Sequence, residues 1–249
     1  MMSADISQEQ SGSAPARSSA AWSAEAAEHH YDASVWERPS VTVDVVILSL
    51  QEGDLKVLLI KRRNWPYEGY WAIPGGFIEM RESLEESARR ELEEETGLRD
   101  IYMEQLYTFG DPGRDPRTRV ITVAYLALVD YRQLHPQAAD DAGSVGWFSM
   151  YDLPSLGFDH AQILDYTLKR LRGKLEYTTI GFQFLPPTFT LSELQQVYQV
   201  ILGQERKLDK RNFRKKIVST GILESTGEMK MEGTHRPARL YRFNPKAEA

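Results

Sequence analysis

One stretch constrains this chain more than any other: Gly76-Phe-Ile-Glu-Met-Arg-Glu82 and onward to Leu98, a glycine turn feeding an amphipathic helix with an excess of carboxylates. Ser83 is placed to cap that helix, with Glu86 completing a capping box. Gly97 is placed to end it in the left-handed conformation. At about 100° per residue with Leu84 at zero, Ala88 falls near +40° and Leu92 near +80°, which defines the apolar stripe. On the same scale Glu95 falls near +20°, Glu91 near −20° and Glu94 near −80°. Glu86, Arg89 and Glu93 take the opposite, solvated side. Glu91 and Glu95 therefore lean toward the protein, and Glu94 flanks them. The i, i+3 and i, i+4 spacing crowds like charges together, and partly burying them is costly unless a cation neutralises them. Oxygen-only ligands suit Mg²⁺ or Mn²⁺ rather than zinc. A plain solvated acidic helix is the competing reading, and it fits Glu85, Glu86 and Glu93.

The offsets within this stretch resemble the Nudix box. Gly76, Glu82, Arg90-Glu91-Leu92, Glu94-Glu95 and Gly97-Leu98 fall at every position of its consensus. The resemblance implies an α/β fold, an α/β/α sandwich with a mixed sheet, and divalent-metal binding at Glu91, Glu94 and Glu95. It implies that Arg90 orients these carboxylates, that Glu82 supports the loop or an outer metal, and that Gly76 permits the turn. It further implies hydrolysis of nucleoside diphosphates linked to another group. There a metal-held water attacks phosphorus while the metal neutralises the phosphate oxygens. No general base is assigned.

The 249 residues suffice for two modest domains or one large one. With no cysteine, disulfides and cysteine-based zinc sites are excluded. No apolar run approaches a membrane span, and the N-terminus lacks the pattern of a signal peptide. These features lead us to expect a cytoplasmic protein without a membrane partner. The net charge of −6 hides an asymmetry. Residues 186–249 hold 12 Lys and Arg against 7 Asp and Glu, leaving 18 of the 30 basic and 29 of the 36 acidic residues to the rest. A basic module on an acidic body points to nucleic acid; ordinary fluctuation in a short region is the alternative.

Residues 1–38 are rich in Ser, Ala, Glu and Gln without apolar period, and are expected to be a disordered tail. His29-His30 within it carry no assigned role. Val41–Leu50 and Leu55–Ile60 form an expected hairpin across Glu52-Gly53-Asp54. Lys61-Arg62-Arg63 follows, either as a solvated turn or as a contact to substrate phosphates, the latter with Arg62. Trp65, Tyr67, Tyr70 and Trp71 crowd the approach to Pro74-Gly75-Gly76, where aromatics pack a core more often than they stack on a base. After an expected strand at Ile101–Tyr107, the loop Phe109–Arg119 carries turn residues with Arg114, Arg117 and Arg119. Such a loop is either flexible and basic or an anion contact. Its likeness to a loop in Nudix proteins acting on ADP-ribose implies substrate binding at Arg114 and Arg119, beside Gly75 and Gly76. Val120–Val129 is an expected strand, Ala138–Gly143 a surface loop, Val145–Phe148 a short strand and Asp159–Leu175 a helix.

Phe184-Leu-Pro-Pro-Thr188 has the composition of a linker or hinge. Thr190 and Glu193 make a second capping box ahead of an apolar face, Leu191 to Leu202, ended by Gly203. Asp209 caps a second helix, in which five of the seven residues from Lys210 to Lys216 are basic while Phe213 and Ile217 anchor it inward. Ile222–Glu224 and Arg239–Phe243 can pair as a hairpin around Gly227 to Pro237. Together with Asp159–Leu175 as first helix this resembles a winged helix-turn-helix. The expected domains are thus 39–155 (Nudix) and 156–249 (winged helix). In that arrangement Lys210, Arg211, Asn212, Arg214 and Lys215 contact phosphates or base edges, and Arg236 and Arg239 meet backbone from the wing. A docking or dimerisation module with a solvated basic face is the alternative.

The pairing of the two domains resembles the Nudix-related transcriptional regulators of NAD metabolism, most closely at Phe189–Gln195 and Leu208–Arg214 and over roughly residues 40–243. That resemblance implies a homodimer that binds double-stranded operator DNA and releases it when ADP-ribose occupies the Nudix domain. Many members of that family have eroded boxes and do not hydrolyse the ligand, whereas the box here is complete. A metabolic ADP-ribose pyrophosphatase with a C-terminal docking module is the second reading.

Overall fold

The computed structural model describes residues 29, 32–130, 144–203, 208–231 and 237–244. The expected tail lies largely outside the described residues. So do His30, the loop Ala138–Gly143 and Arg236. Within 1–38 the described part contains a 3-10 turn, Ala33–Val35, whose Asp32 side chain accepts from the Ser34 N–H.

From Pro39 onward the chain is one compact unit. Its centre is a seven-stranded mixed sheet. Strand β1 (Ser40–Gln51) pairs antiparallel with β2 (Asp54–Lys61) and parallel with β6 (Val120–Val129). β3 (Trp71–Ala72) and β7 (Val145–Ser149) add to β2, β4 (Gly75–Phe77) to β1, and β5 (Tyr102–Phe109) to β6. The β1–β2 turn places Glu52 and Gly53 at φ of 54° and 79°, the left-handed geometry a two-residue hairpin requires.

β1 and β6 are buried on both faces, as a parallel pair inside a layered fold must be. Alternation sends Val43, Val45 and Ile47 to one face, where Ala88 and Leu92 of helix α1 (Leu84–Thr96) cover them. Val46 and Leu48 point to the other, where Ile163, Leu164, Leu171 and Leu175 of helix α2 (His160–Tyr177) pack. The result is the expected sandwich.

The second assembly is a winged helix: helix α3 (Leu191–Leu202), helix α4 (Lys210–Ser219) and a three-stranded sheet. In that sheet β8 (Phe189–Thr190) and β9 (Leu223–Lys230) flank β10 (Ala238–Phe243). Phe182, Phe189, Leu194, Phe213 and Ile217 form its core.

Three expectations change here. α2 buries its apolar face on the Nudix sheet in the same core that receives Val197 and Ile201 of α3, so it spans both assemblies rather than serving the winged helix alone. Phe184 is not linker; it is buried at the end of a 3-10 turn, Ile180–Phe184, because an aromatic ring there fills the seam below α3. Gly227 lies within β9, not in the turn, and its φ of 80° accompanies a register shift opposite Arg239 and Tyr241.

Candidate functional site

Helix α1 starts and stops where its caps dictate. Ser83 and Glu86 make both capping-box bonds, and Gly97 closes the last turn at φ 72° with its N–H on the Glu93 carbonyl. This fixes the phase that turns Glu91 inward, leaves Glu95 half-buried and leaves Glu94 exposed. Arg90 organises the cluster. Its Nε donates to Glu82 Oε1 at 2.7 Å, and its Nη1 donates to Glu91 Oε1 at 2.8 Å and Glu94 Oε2 at 3.0 Å. The hydrogen bond from Arg90 is the main reason the Glu82 carboxyl titrates at about 2. Burial pushes the Glu91 carboxyl up, against the pull of Arg90.

The glycine turn closes over these acids. The Gly75 N–H donates to Glu95 Oε2 at 2.6 Å. Any side chain at Gly76 would collide with the Glu91 carboxylate, its Cβ standing 2.3 Å from Oε1. Among the described residues no three His, Cys, Asp or Glu side chains converge as a metal cage; the Arg90 guanidinium bridges Glu91 and Glu94 instead. The donor set nevertheless fits a hard divalent ion, being all oxygen and including one carboxylate whose charge burial penalises.

Two arginines gather on the Phe158 ring, one of them, Arg62, within electrostatic reach of Glu95. The Arg62 guanidinium sits 4.8 Å from the centre of the Phe158 ring and that of Arg117 5.7 Å from it, with Arg117 also over Phe77 at 5.3 Å. Burial and the nearby Arg117 charge lower the Arg62 pKa, so both oppose its cationic form. Arg62 is anchored through Nε to the Pro66 carbonyl, and no carboxylate lies within ion-pair distance of it among the described residues. Arg62 is half-buried, whereas Arg117 is exposed and held by Asp115, to which its Nε donates at 3.0 Å and its Nη2 at 2.7 Å; a diphosphate placed over Phe158 would meet Arg62 and compete with Asp115 for Arg117.

Arg114 differs from the expectation of a ligand contact. Its guanidinium is buried and grips Asp159 with two bonds, Nε–Oδ2 3.0 Å and Nη2–Oδ1 2.8 Å, while Nη2 also reaches Asp44 Oδ2 at 3.4 Å. A guanidinium with these partners holds the loop to the fold. Arg119 is exposed and donates to the Asp111 and Val120 carbonyls.

Sequence reasoning missed the residues beneath the turn. Asp44 accepts from Thr122 Oγ1 at 2.7 Å and lies against Gly75, whose hypothetical Cβ would stand 2.8 Å from Oδ1. His160 is buried, and its Nδ1 accepts the Ile73 N–H at 2.9 Å; burial lowers its pKa, so it stays neutral. The one sequence signal was an Asp inside an otherwise apolar β-branched strand. Phe158 gave none.

On the winged helix, α4 buries Phe213 and Ile217 and exposes Lys210, Arg211, Asn212, Lys215 and Lys216. Arg214 departs from that face: it is half-buried, its Nη2 donates to Ser192 Oγ at 3.0 Å, and its Nε has no partner among the described residues. Arg239 is exposed on β10.

Comparison with known proteins agrees with both halves. The NUDIX domain model matches residues 38–169, and the NrtR DNA-binding winged helix domain model matches residues 181–243. The chain is 39% identical, over 86% of its length and 85% of the relative's, to the ADPR responsive transcriptional repressor NtrR of Acinetobacter baylyi. The chain belongs to the NrtR family. The crystal structure of Shewanella oneidensis NrtR complexed with a 27mer DNA superposes with a TM-score of 0.73 at 36% identity, covering 83% of this chain and 94% of that one. The Nudix domain of the same protein complexed with ADP ribose gives 0.54 at 37% identity over 59% and 97%. The NrtR half of the likeness does not stand alone, because an ADP-ribose pyrophosphatase of Methanocaldococcus jannaschii is 43% identical over 51% of this chain and 73% of its own length.

Proposed function

We propose that this NrtR-family protein is an ADP-ribose-responsive, DNA-binding transcriptional repressor. One observation carries the reading: a single chain joins a Nudix fold, with Arg62 and Arg117 gathered on the Phe158 ring, to a helix whose exposed face carries Lys210, Arg211, Lys215 and Lys216. Lys210, Arg211, Asn212 and Lys215 on α4 meet the duplex, with Arg239 following from the wing; Arg214 serves α3 through Ser192. A homodimer would set two copies of α4 on successive half-sites. Its place of work is the cytoplasm, with no membrane partner; among the described residues no helix is long and apolar enough to cross one.

In the Nudix half, Arg62 takes the diphosphate and Arg117 joins it by exchanging Asp115 for a phosphate oxygen, with Arg119 at the rim and the Gly75-Gly76 turn against it. Arg114 acts indirectly, by holding the loop through Asp159. The relatives that respond to or are crystallised with ADP ribose support that ligand.

The intact box supports a second activity, Mg²⁺- or Mn²⁺-dependent hydrolysis of the same ligand. Glu91, Glu94 and Glu95 would hold the ion, with Glu82 behind them and Arg90 setting their positions. A bound ion would neutralise phosphate charge and lower the pKa of a water. The observation favouring this reading is the desolvated Glu91 carboxylate beside a glycine that leaves it room.

Promoter DNA from upstream of the gene, mixed with the protein with and without ADP-ribose and Mg²⁺, tests both readings in one tube. DNA retention reports the repressor and AMP release reports the hydrolase. DNA binding absent at all salt concentrations would overturn the first reading; AMP release no faster than that of an E94Q/E95Q variant would overturn the second.

A further inference from the structure

Three consecutive residues ahead of and at the start of α2 touch three separate parts of the ligand region. The Phe158 ring carries Arg62 and Arg117. Asp159 holds the 109–119 loop through its two bonds to Arg114. His160 accepts the N–H of Ile73, two residues before Gly75. Behind them Asp44 joins the set, because it contacts Arg114, lies 3.8 Å from His160 and lies against Gly75. Phe158 itself has φ of 54°, a left-handed conformation that an aromatic residue adopts only when its surroundings impose it.

From this point α2 runs for 18 residues, a rod of about 27 Å. Its far half is bound to the winged helix. Leu171 and Leu175 share a core with Val197 and Ile201 of α3. The last carbonyls of α3, which lack helical partners, are taken by side chains from the Nudix half: Arg172 Nε on Ile201 O at 2.9 Å, and Tyr151 Oη on Val200 O at 2.7 Å. α3 in turn packs on α4 through Leu194, Phe213 and Ile217.

We propose that α2 is the transmission element between the two halves, with the Arg114–Asp159 ion pair fixing its ligand end and the Arg172–Ile201 bond its DNA end. The proposal rests on the ADP-ribose-responsive reading above and adds how the response travels. An anion that draws Arg62 to itself, and displaces Asp115 as the partner of Arg117, takes away the two cation–π contacts on Phe158. The strained residue then relaxes, and its neighbours Asp159 and His160 carry the change into α2. Ligand shifts DNA affinity in this way because the two positions of α2 bind it unequally. Asp159 and Arg172 are positioning residues: neither touches ligand or DNA.

The test uses the full chain, ADP-ribose by calorimetry and a labelled duplex from upstream of its own gene by anisotropy, each partner measured with and without the other. The variants are Asp159→Asn and Arg172→Ala. Wild type loses DNA affinity when ADP-ribose is present. R172A keeps each separate affinity within about threefold and D159N keeps its DNA affinity within about threefold, while in both the ratio of DNA affinities without and with saturating ADP-ribose falls to within about twofold of one. If D159N does not fold, R172A at the far end decides alone. An R172A protein with the wild-type ratio overturns the relay and leaves the repressor reading standing. A wild-type protein whose DNA affinity ignores ADP-ribose overturns both.

Discussion

The Glu91 carboxylate occupies the space beside Gly76: a Cβ at position 76 would stand 2.3 Å from its Oε1 atom. The turn and the helix face are therefore matched to each other atom for atom, and a single methyl group is enough to separate them. Gly76→Ala displaces Glu91 by an ångström or so. Misplacement of that size costs about 100-fold in turnover. AMP release from ADP-ribose with Mg²⁺ should fall by that order while affinity for promoter DNA holds. Turnover within a factor of two of wild type would show that Glu91 does not work from its present position.

Glu82 makes the fold sensitive to acid. Its carboxyl titrates at about 2 against an ordinary 4.5, held down first by its bond to Arg90 and then by Ser87. A depressed acid stabilises the fold fully above the unfolded value and loses that contribution as pH falls from 4.5 toward 2. Melting curves between pH 2 and 6 should show wild type losing more stability on acidification than Glu82→Gln. Parallel curves would remove the Arg90–Glu82 bond as a source of stability.

Glu91 behaves in the opposite sense. Burial raises its pKa, so the folded state holds the proton more tightly than the unfolded one. Its ionised form opposes folding, a penalty absent at low pH that grows as pH rises above 4.5 and is complete above the folded value. At neutral pH without metal, Glu91→Gln should melt no lower than wild type. Added Mg²⁺ should raise the melting temperature of wild type and leave E91Q unmoved. Equal Mg²⁺ stabilisation of both would take Glu91 out of the metal set.

Much of the site was legible because helical phase and caps are local. Ser83, Glu86 and Gly97 fix where α1 begins and ends, so the inward lean of Glu91 followed from spacing alone. The loop arginines were not legible in that way. Sequence put Arg114, Arg117 and Arg119 in one loop, but which one turns inward is decided by Asp159, 45 residues later. Asp44 and His160 were invisible for the same reason: their partners come from other elements. Likewise the capping box and Gly203 located α3, whereas its ties to Arg172 and Tyr151 depend on how two assemblies meet.

The proposed DNA contact through the basic face of α4 fixes what the salt dependence of binding should be. Replacing Lys210, Arg211 and Lys215 together with Ala would remove up to three of the proposed phosphate contacts. The slope of log affinity against log salt should then shrink by about 2 to 3. Replacing Arg214, which bonds to Ser192, should lower thermal stability and change the slope little. An unchanged slope in the triple variant would move the DNA contact elsewhere on the molecule.

Coupling between the Nudix half and the winged helix is read most simply by one anisotropy titration of a promoter duplex, at fixed salt, with and without saturating ADP-ribose. Binding should be tight without the nucleotide and at least about tenfold weaker with it. Two superimposable binding curves would contradict that coupling.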